Sequence, residues 1–191
     1  MRIIPAASYV TMPWRNGGGT TTEIAVSPPG ADMAAFDWRL SMARVERAGP
    51  FSVFDGIDRT IAILEGDGLT LSVAGGGEVC LDKALAPYGF PGDVAAGAVL
   101  VGGPVLDLNL MSRRAGWRHA LVRTVITGTQ VVQRLGDVLL VLVRGSAASI
   151  TDTDTILAGG DTLFLDHTDP PETKLAAAAP ARLYLAHLWR R

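Results

Sequence analysis

The strongest constraint on this chain is its rhythm. Apolar and polar residues alternate over short stretches, and Gly, Pro or Asp breaks each stretch before a helical period can develop. Phe36-Asp37-Trp38-Arg39-Leu40-Ser41-Met42 puts Phe36, Trp38, Leu40 and Met42 on one side of an extended chain and Asp37, Arg39 and Ser41 on the other. The segment Val105 to Met111 does the same, with Asp107, Asn109 and Met111 opposed to Leu106, Leu108 and Leu110. The segment Arg59 to Glu65 reads as a strand ended by Gly66-Asp67-Gly68, a tight-turn signal that makes Leu69 to Val73 its expected hairpin partner. Further strands are expected at Gln130 to Arg134, Val138 to Arg144, Ala148 to Thr151, Thr162 to Asp166 and Arg182 to Leu188. Many short strands with frequent turns build an antiparallel sandwich or barrel.

The punctuation also recurs. Ile61-Ala62-Ile63-Leu64-Glu65-Gly66 is followed by Phe90-Pro91-Gly92-Asp93, and Leu140-Val141-Leu142-Val143-Arg144-Gly145 by Ala158-Gly159-Gly160-Asp161. A strand ending in a charged residue and Gly, then a Gly-Asp turn opening a later strand, is the punctuation of a cupin barrel. Its double occurrence predicts an all-β fold of the cupin type, a double-stranded β-barrel, with two fused barrels at residues 1–114 and 115–191. A crossover is expected around residues 112–129.

Several function classes are excluded. Net charge is −2 with no basic block, so there is no electrostatic footprint for nucleic acid. The longest uncharged apolar run, Val138 to Val143, is far short of the ~20 residues a membrane helix needs. The N-terminus lacks an apolar signal core, so a cytoplasmic location is expected, and Cys80, the only cysteine, allows no internal disulfide. Gly17-Gly18-Gly19 invites a phosphate-loop reading, but three threonines follow where Lys and Ser/Thr are needed, and Thr22 replaces the third glycine of a dinucleotide fingerprint. The three histidines, His119, His167 and His187, lie far apart, and Val94-Ala95-Ala96 follows Gly92-Asp93 where a metal-binding cupin would place a histidine. No metal, cofactor or catalytic residue is therefore assigned. His167 reads as an exposed turn residue and His187 as a hydrogen-bonded structural one.

What remains is a set of arginines at strand positions. If both faces of the segment Phe36 to Met42 are covered, Arg39 points into a barrel mouth, with Arg59 opening the next strand and Arg113 ending the one that carries Asp107. A buried guanidinium needs a carboxylate, either internal (Glu23, Asp58 or Asp107) or from a ligand. The stretch Trp14-Arg15-Asn16-Gly17-Gly18-Gly19 reads as a glycine-rich turn, with Asn16 suited to a left-handed backbone and Trp14 serving as core anchor or ligand contact.

Four segments resemble the HutD/Ves family, in order: Trp14 to Ile24 (WRNGGGTTTEI), Phe36 to Ala43 (FDWRLSMA), Gly49 to Arg59 (GPFSVFDGIDR) and Asp107 to Arg114 (DLNLMSRR). The resemblance implies a double-barrel cupin fold and no established enzyme activity. For its HutD branch it implies a role in regulating histidine utilisation, and for its Ves branch an association with stress responses.

The combined expectation is a non-catalytic protein that binds a small anionic metabolite, such as formylglutamate, urocanate or a related acid, in its N-terminal barrel. Arg39 and Arg59, with Arg113, would hold carboxylates. Ser41, Asn109 and Asn16 would supply neutral hydrogen bonds, Glu23 or Asp107 would orient the arginines or take a ligand N–H, and Trp14 or Met111 would form an apolar wall. The alternatives are a metal-independent hydrolase or isomerase using Glu23 or Asp107 as base, and an interaction protein that forms a homodimer or docks a partner through its second barrel.

Overall fold

The computed structural model describes residues 1–191. It is all-β, with one 3-10 turn at Ala6–Ser8 and no α-helix; no helix is therefore long and apolar enough to cross a membrane. The chain divides into two compact units, one of Val10–Arg118 with Arg191 and one of Met1–Tyr9 with His119–Arg190.

Two antiparallel sheets make the unit of Val10–Arg118. The first has six strands in the order Val10–Pro13, Gly19–Ser27, Trp38–Val45, Val105–Arg113, Ile57–Glu65 and Tyr88–Pro91. The second has four, in the order Gly49–Pro50, Ala96–Leu100, Leu69–Val73 and Gly77–Leu81. The predicted hairpin between the strand ending at Glu65 and Leu69–Val73 does not form. Ile57–Glu65 pairs with Val105–Arg113 and Tyr88–Pro91, whereas Leu69–Val73 pairs with Ala96–Leu100 and Gly77–Leu81. Gly66 and Gly68, at φ 91° and 111°, turn the corner from one sheet into the other. A turn signal marks a reversal but does not say which sheet receives the next strand.

Register places the site. Met111, Asn109 and Asp107 stand opposite Arg39, Ser41 and Ala43 on one neighbouring strand and Arg59, Ile61 and Ile63 on the other. One face of the six-stranded sheet therefore changes character along its length. At one end Ala43, Val45, Ile61, Ile63 and Val105 pack with Leu69, Leu71, Val73 and Ala98 of the four-stranded sheet. Each Val, Leu or Ile among them stabilises the fold by about 1.5–3 kcal/mol when fully buried. At the other end the same face carries Arg39, Ser41, Asn109 and Arg59, and no apolar layer can close over it without stranding charges.

In the unit of Met1–Tyr9 and His119–Arg190, one sheet runs Arg2–Ile4, Thr162–Asp166, Val138–Gly145, Glu172–Arg190, Ala148–Ile150 and Ile156–Leu157, and Trp117–Gln133 also pairs with Glu172–Arg190. Its apolar core includes Leu139, Val141, Val143, Leu163, Leu183 and Leu185. Arg2–Ile4 pairs with Thr162–Asp166, so the first residues lie with the C-terminal unit and not with an N-terminal barrel of residues 1–114. The chain passes from one unit to the other between Arg118 and His119, within the crossover expected at residues 112–129, and it does so as strand: these residues finish Val105–Arg113 and form most of the 17-residue strand Trp117–Gln133. His187 is buried and stacked 5.9 Å from the Trp189 ring, but its Nδ1 has no hydrogen-bond partner, contrary to the bonded histidine expected. Burial holds its pKa below the ordinary value.

Candidate functional site

The glycine-rich stretch is the turn between the paired strands Val10–Pro13 and Gly19–Ser27. The Trp14 N–H donates to Gly19 O (2.9 Å), and the Gly17 N–H to Trp14 O (3.0 Å). Gly17, at φ 67°, and not Asn16 takes the left-handed backbone of the turn. Asn16 instead caps the turn, its Oδ1 accepting the Gly18 N–H at 3.0 Å. Gly19 is required for another reason: a Cβ there would lie 2.1 Å from Arg44 O on the adjacent strand. Trp14 Nε1 donates to Thr21 Oγ1 (2.7 Å), which holds the indole against the barrel end.

Next along the chain, a register shift between Glu23 and Ala25 sets Glu23 opposite Ser41 and Val26 opposite Arg39. Bulges of this kind re-aim side chains. The Glu23 carboxylate accepts from Arg39 Nε at 2.7 Å, and Arg39 Nη1 donates to Ser41 Oγ at 3.4 Å. Arg39 is 5% exposed, so this pairing offsets a desolvation penalty of several kcal/mol.

Arg59 is held differently. It is 6% exposed, and its guanidinium carbon lies 5.2, 5.7 and 5.1 Å from the rings of Phe51, Phe54 and Phe90. Nη1 reaches Ser52 O at 3.5 Å, the limit of a hydrogen bond, and Nε has no partner. Aromatic faces attract a cation but do not replace hydrogen bonds. Burial lowers the Arg59 pKa to about 10, with Asp107 acting to raise it and Arg39 lowering it further. The group therefore stays charged at neutral pH.

Asp107 is 2% exposed and Asn109 8%, and the Oδ1 of each lacks a partner. Burial pushes the Asp107 carboxyl up to about 7, against the pull of Arg59. This makes the ligand-free fold pH-sensitive. The native state keeps the Asp107 proton up to about pH 7, while the unfolded chain releases it near 3.8. Stability from this group is full below the unfolded pKa and is lost as pH rises to the folded one. Between pH 4 and pH 8 the wild type should lose on the order of 3 kcal/mol relative to Asp107→Asn. Urea denaturation of both proteins across that range measures the difference, and parallel profiles would show that Asp107 does not titrate in this way.

These side chains meet in one cavity of about 570 Å³. Of the predicted site residues, Trp14, Asn16, Arg39, Ser41, Arg59, Asp107, Asn109 and Met111 line it. Glu23 serves it through Arg39. Arg113 does not join: its Nε donates to Phe36 O (3.1 Å) and its Nη2 to Ala34 O (2.9 Å). Neighbouring Arg114 ties down Asp58 (2.8 Å) and Asp93 (2.8 Å), which removes Asp58 as a partner for the site arginines. Phe51, Ser52, Phe54, Met12, Thr21 and Met33 also line the cavity and were not picked out from sequence. The spacing of Phe51 and Phe54 within Gly49-Pro50-Phe51-Ser52-Val53-Phe54 was the available signal, since two exposed-loop phenylalanines need a surface to cover.

A β-barrel sealed by apolar packing at one end and opening onto a polar cavity at the other defines a cupin-type protein. No group of three or more His, Cys, Asp or Glu side chains is placed to hold a metal ion. The HutD family model matches residues 6–185, and the chain belongs to that family. It is 39% identical over 124 residues to an uncharacterized 21.2 kDa protein of the hutC 3' region in Pseudomonas putida, covering 63% of each chain. It is 40% identical over 119 residues to Protein Ves of Cronobacter sakazakii, covering 60% of this chain and 64% of that one. The matched stretches thus span less than two thirds of these relatives' lengths. Among solved structures, HutD of Pseudomonas fluorescens SBW25 is 29% identical with a TM-score of 0.83, covering 100% of this chain and 98% of that one. A conserved protein of unknown function from Pseudomonas aeruginosa PAO1 is 32% identical with a TM-score of 0.89, covering 98% of both. The Escherichia coli protein YhhW, at 9% identity and a TM-score of 0.69 over 97% of this chain and 96% of that one, shares the fold alone.

Proposed function

We propose that the cavity binds a small carboxylate metabolite and that the protein acts, without catalysing a reaction, as a sensor or regulator linked to histidine utilisation. The observation that carries this reading is Arg59: a buried, charged guanidinium lining a cavity, with a hydrogen-bond donor that nothing in the protein satisfies. A carboxylate is the partner that a guanidinium fork matches best. The cavity volume of about 570 Å³ falls in the range of roughly 300–1,000 Å³ typical of small-ligand sites. The link to histidine breakdown rests on family membership and on the genomic position named for the Pseudomonas putida relative.

A thermal-shift screen against histidine, urocanate, formiminoglutamate, formylglutamate and glutamate, with and without chelator, tests the reading. A ligand that binds only the folded state stabilises it by about 2.7 kcal/mol at a hundredfold excess over Kd. A selective rise in Tm with one of these acids, unchanged by chelator, is the expected result. No shift with any of them would remove the link to histidine breakdown.

One observation favours an enzyme as the second reading. Asp107, with its carboxyl pushed up to about 7, is poised as a general base near neutral pH. Mass spectrometry of the same acids after incubation decides it, because turnover above the uncatalysed rate would replace the binding-only account.

A further inference from the structure

Two buried acceptor atoms of residues that line the cavity have no donor. Asp107 Oδ1 and Asn109 Oδ1 belong to same-face neighbours on the Val105–Arg113 strand, and both residues are more than nine-tenths buried. The charged groups around them are Arg59 on Ile57–Glu65, Arg39 on Trp38–Val45 and Glu23 on Gly19–Ser27. Neither arginine satisfies the two acceptors. Arg39 is turned to Glu23 and Ser41, while Arg59 is ringed by Phe51, Phe54 and Phe90 and reaches Ser52 O. Native proteins seldom leave buried acceptors without a donor.

A carboxylate cannot supply that donor, because an ionised carboxylate only accepts. The second carboxylate of a plain dicarboxylic acid would also stand near Asp107 and repel it. Of the charges at the site, Arg39 is paired with Glu23, while Arg59 faces the Asp107 carboxyl, which burial pushes up to about 7 and which therefore only partly balances it near neutral pH. A ligand that brings a donor along with its negative charge fits this balance better than one that brings negative charge alone.

We propose that Asp107 and Asn109 form an acceptor subsite for an N–H group of the same ligand whose carboxylate Arg59 holds. The pocket thereby selects acids bearing an amide, amidine or azole N–H over plain mono- and dicarboxylates. The proposal rests on the carboxylate reading above and assigns the discrimination to Asp107 and Asn109. Trp14, Phe51 and Phe54 add flat aromatic surface to the lining of the cavity.

A one-atom exchange in the probe tests this. 3-(Pyrrol-2-yl)acrylate and 3-(furan-2-yl)acrylate share shape and carboxylate, but the first has a ring N–H where the second has an oxygen. Isothermal titration of the wild type should show the pyrrole acid binding at least about tenfold tighter, since sites built to bond an N–H reject analogues that lack it. In Asn109→Leu and Asp107→Leu the preference should shrink to within about threefold. Circular dichroism checks the fold of both variants, and if one does not fold, the wild-type comparison and the other variant still decide. Equal binding of the two probes to the wild type would overturn the acceptor subsite and leave the carboxylate reading standing. Binding of neither probe would contradict the carboxylate reading, and the subsite with it.

Discussion

Arg59→Ala is expected to abolish most carboxylate binding while the protein stays folded. The wild-type guanidinium has an unsatisfied Nε and lies in an aromatic collar that keeps water away. A charge-assisted hydrogen bond is worth about 1.5–3 kcal/mol, and a two-point fork makes two of them. Because water and neighbouring groups compensate in part, a net loss of about 2–4 kcal/mol is expected, or roughly 30- to 1,000-fold in Kd. The fold should survive because Asp107, left without Arg59, can take up a proton, its carboxyl already being pushed up to about 7. Arg39→Ala should weaken binding less, by about tenfold, since Arg39 is already engaged with Glu23 and Ser41. Titration of both variants with the acid that stabilises the wild type measures the two losses. Unchanged affinity in folded Arg59→Ala would place the carboxylate elsewhere.

The largest expected effect on stability comes from a single methyl group. Gly19→Ala puts a Cβ 2.1 Å from Arg44 O, a backbone atom that cannot turn aside. The strands Gly19–Ser27 and Trp38–Val45 would have to separate at that point, where Gly19 pairs with Val45. These strands carry Glu23, Arg39 and Ser41, so the site would loosen along with the sheet. A loss of more than about 3 kcal/mol is expected, in the range reached by overpacking a core or by strained backbone. Gly103→Ala, whose Cβ would meet nothing within 4 Å, is the control and should stay within about 0.5 kcal/mol of wild type. Chemical denaturation compares the two, and equal midpoints would show that the strands yield freely at Gly19.

The inner face of the site was legible because strand periodicity is local. The alternation in residues 36–42 and 105–111 names the same sides that register places on the cavity, and Arg39, Ser41, Asp107, Asn109 and Met111 follow from it. The same rule fails at Arg113. It continues the inward series by count, but the strand ends there and its guanidinium bonds back to carbonyls at Ala34 and Phe36. Long-range pairing leaves no local mark at all. Nothing within Arg2-Ile3-Ile4 points to a partner at Thr162–Asp166, and nothing in Leu69 to Val73 points away from the preceding strand. The aromatic collar around Arg59 draws on a loop, Phe51 and Phe54, and on a strand, Phe90, that meet only in three dimensions. The two open acceptors were hidden for the same reason, since an unsatisfied atom is a property of its surroundings and not of its residue type.

The most direct test of the central claim is diffraction from crystals soaked with the acid that gives the largest thermal shift. The account predicts a carboxylate oxygen within about 3.2 Å of the Arg59 guanidinium, inside the cavity of the Val10–Arg118 unit. An acid bound outside that cavity, or bound in it with its carboxylate turned away from Arg59, would contradict the account.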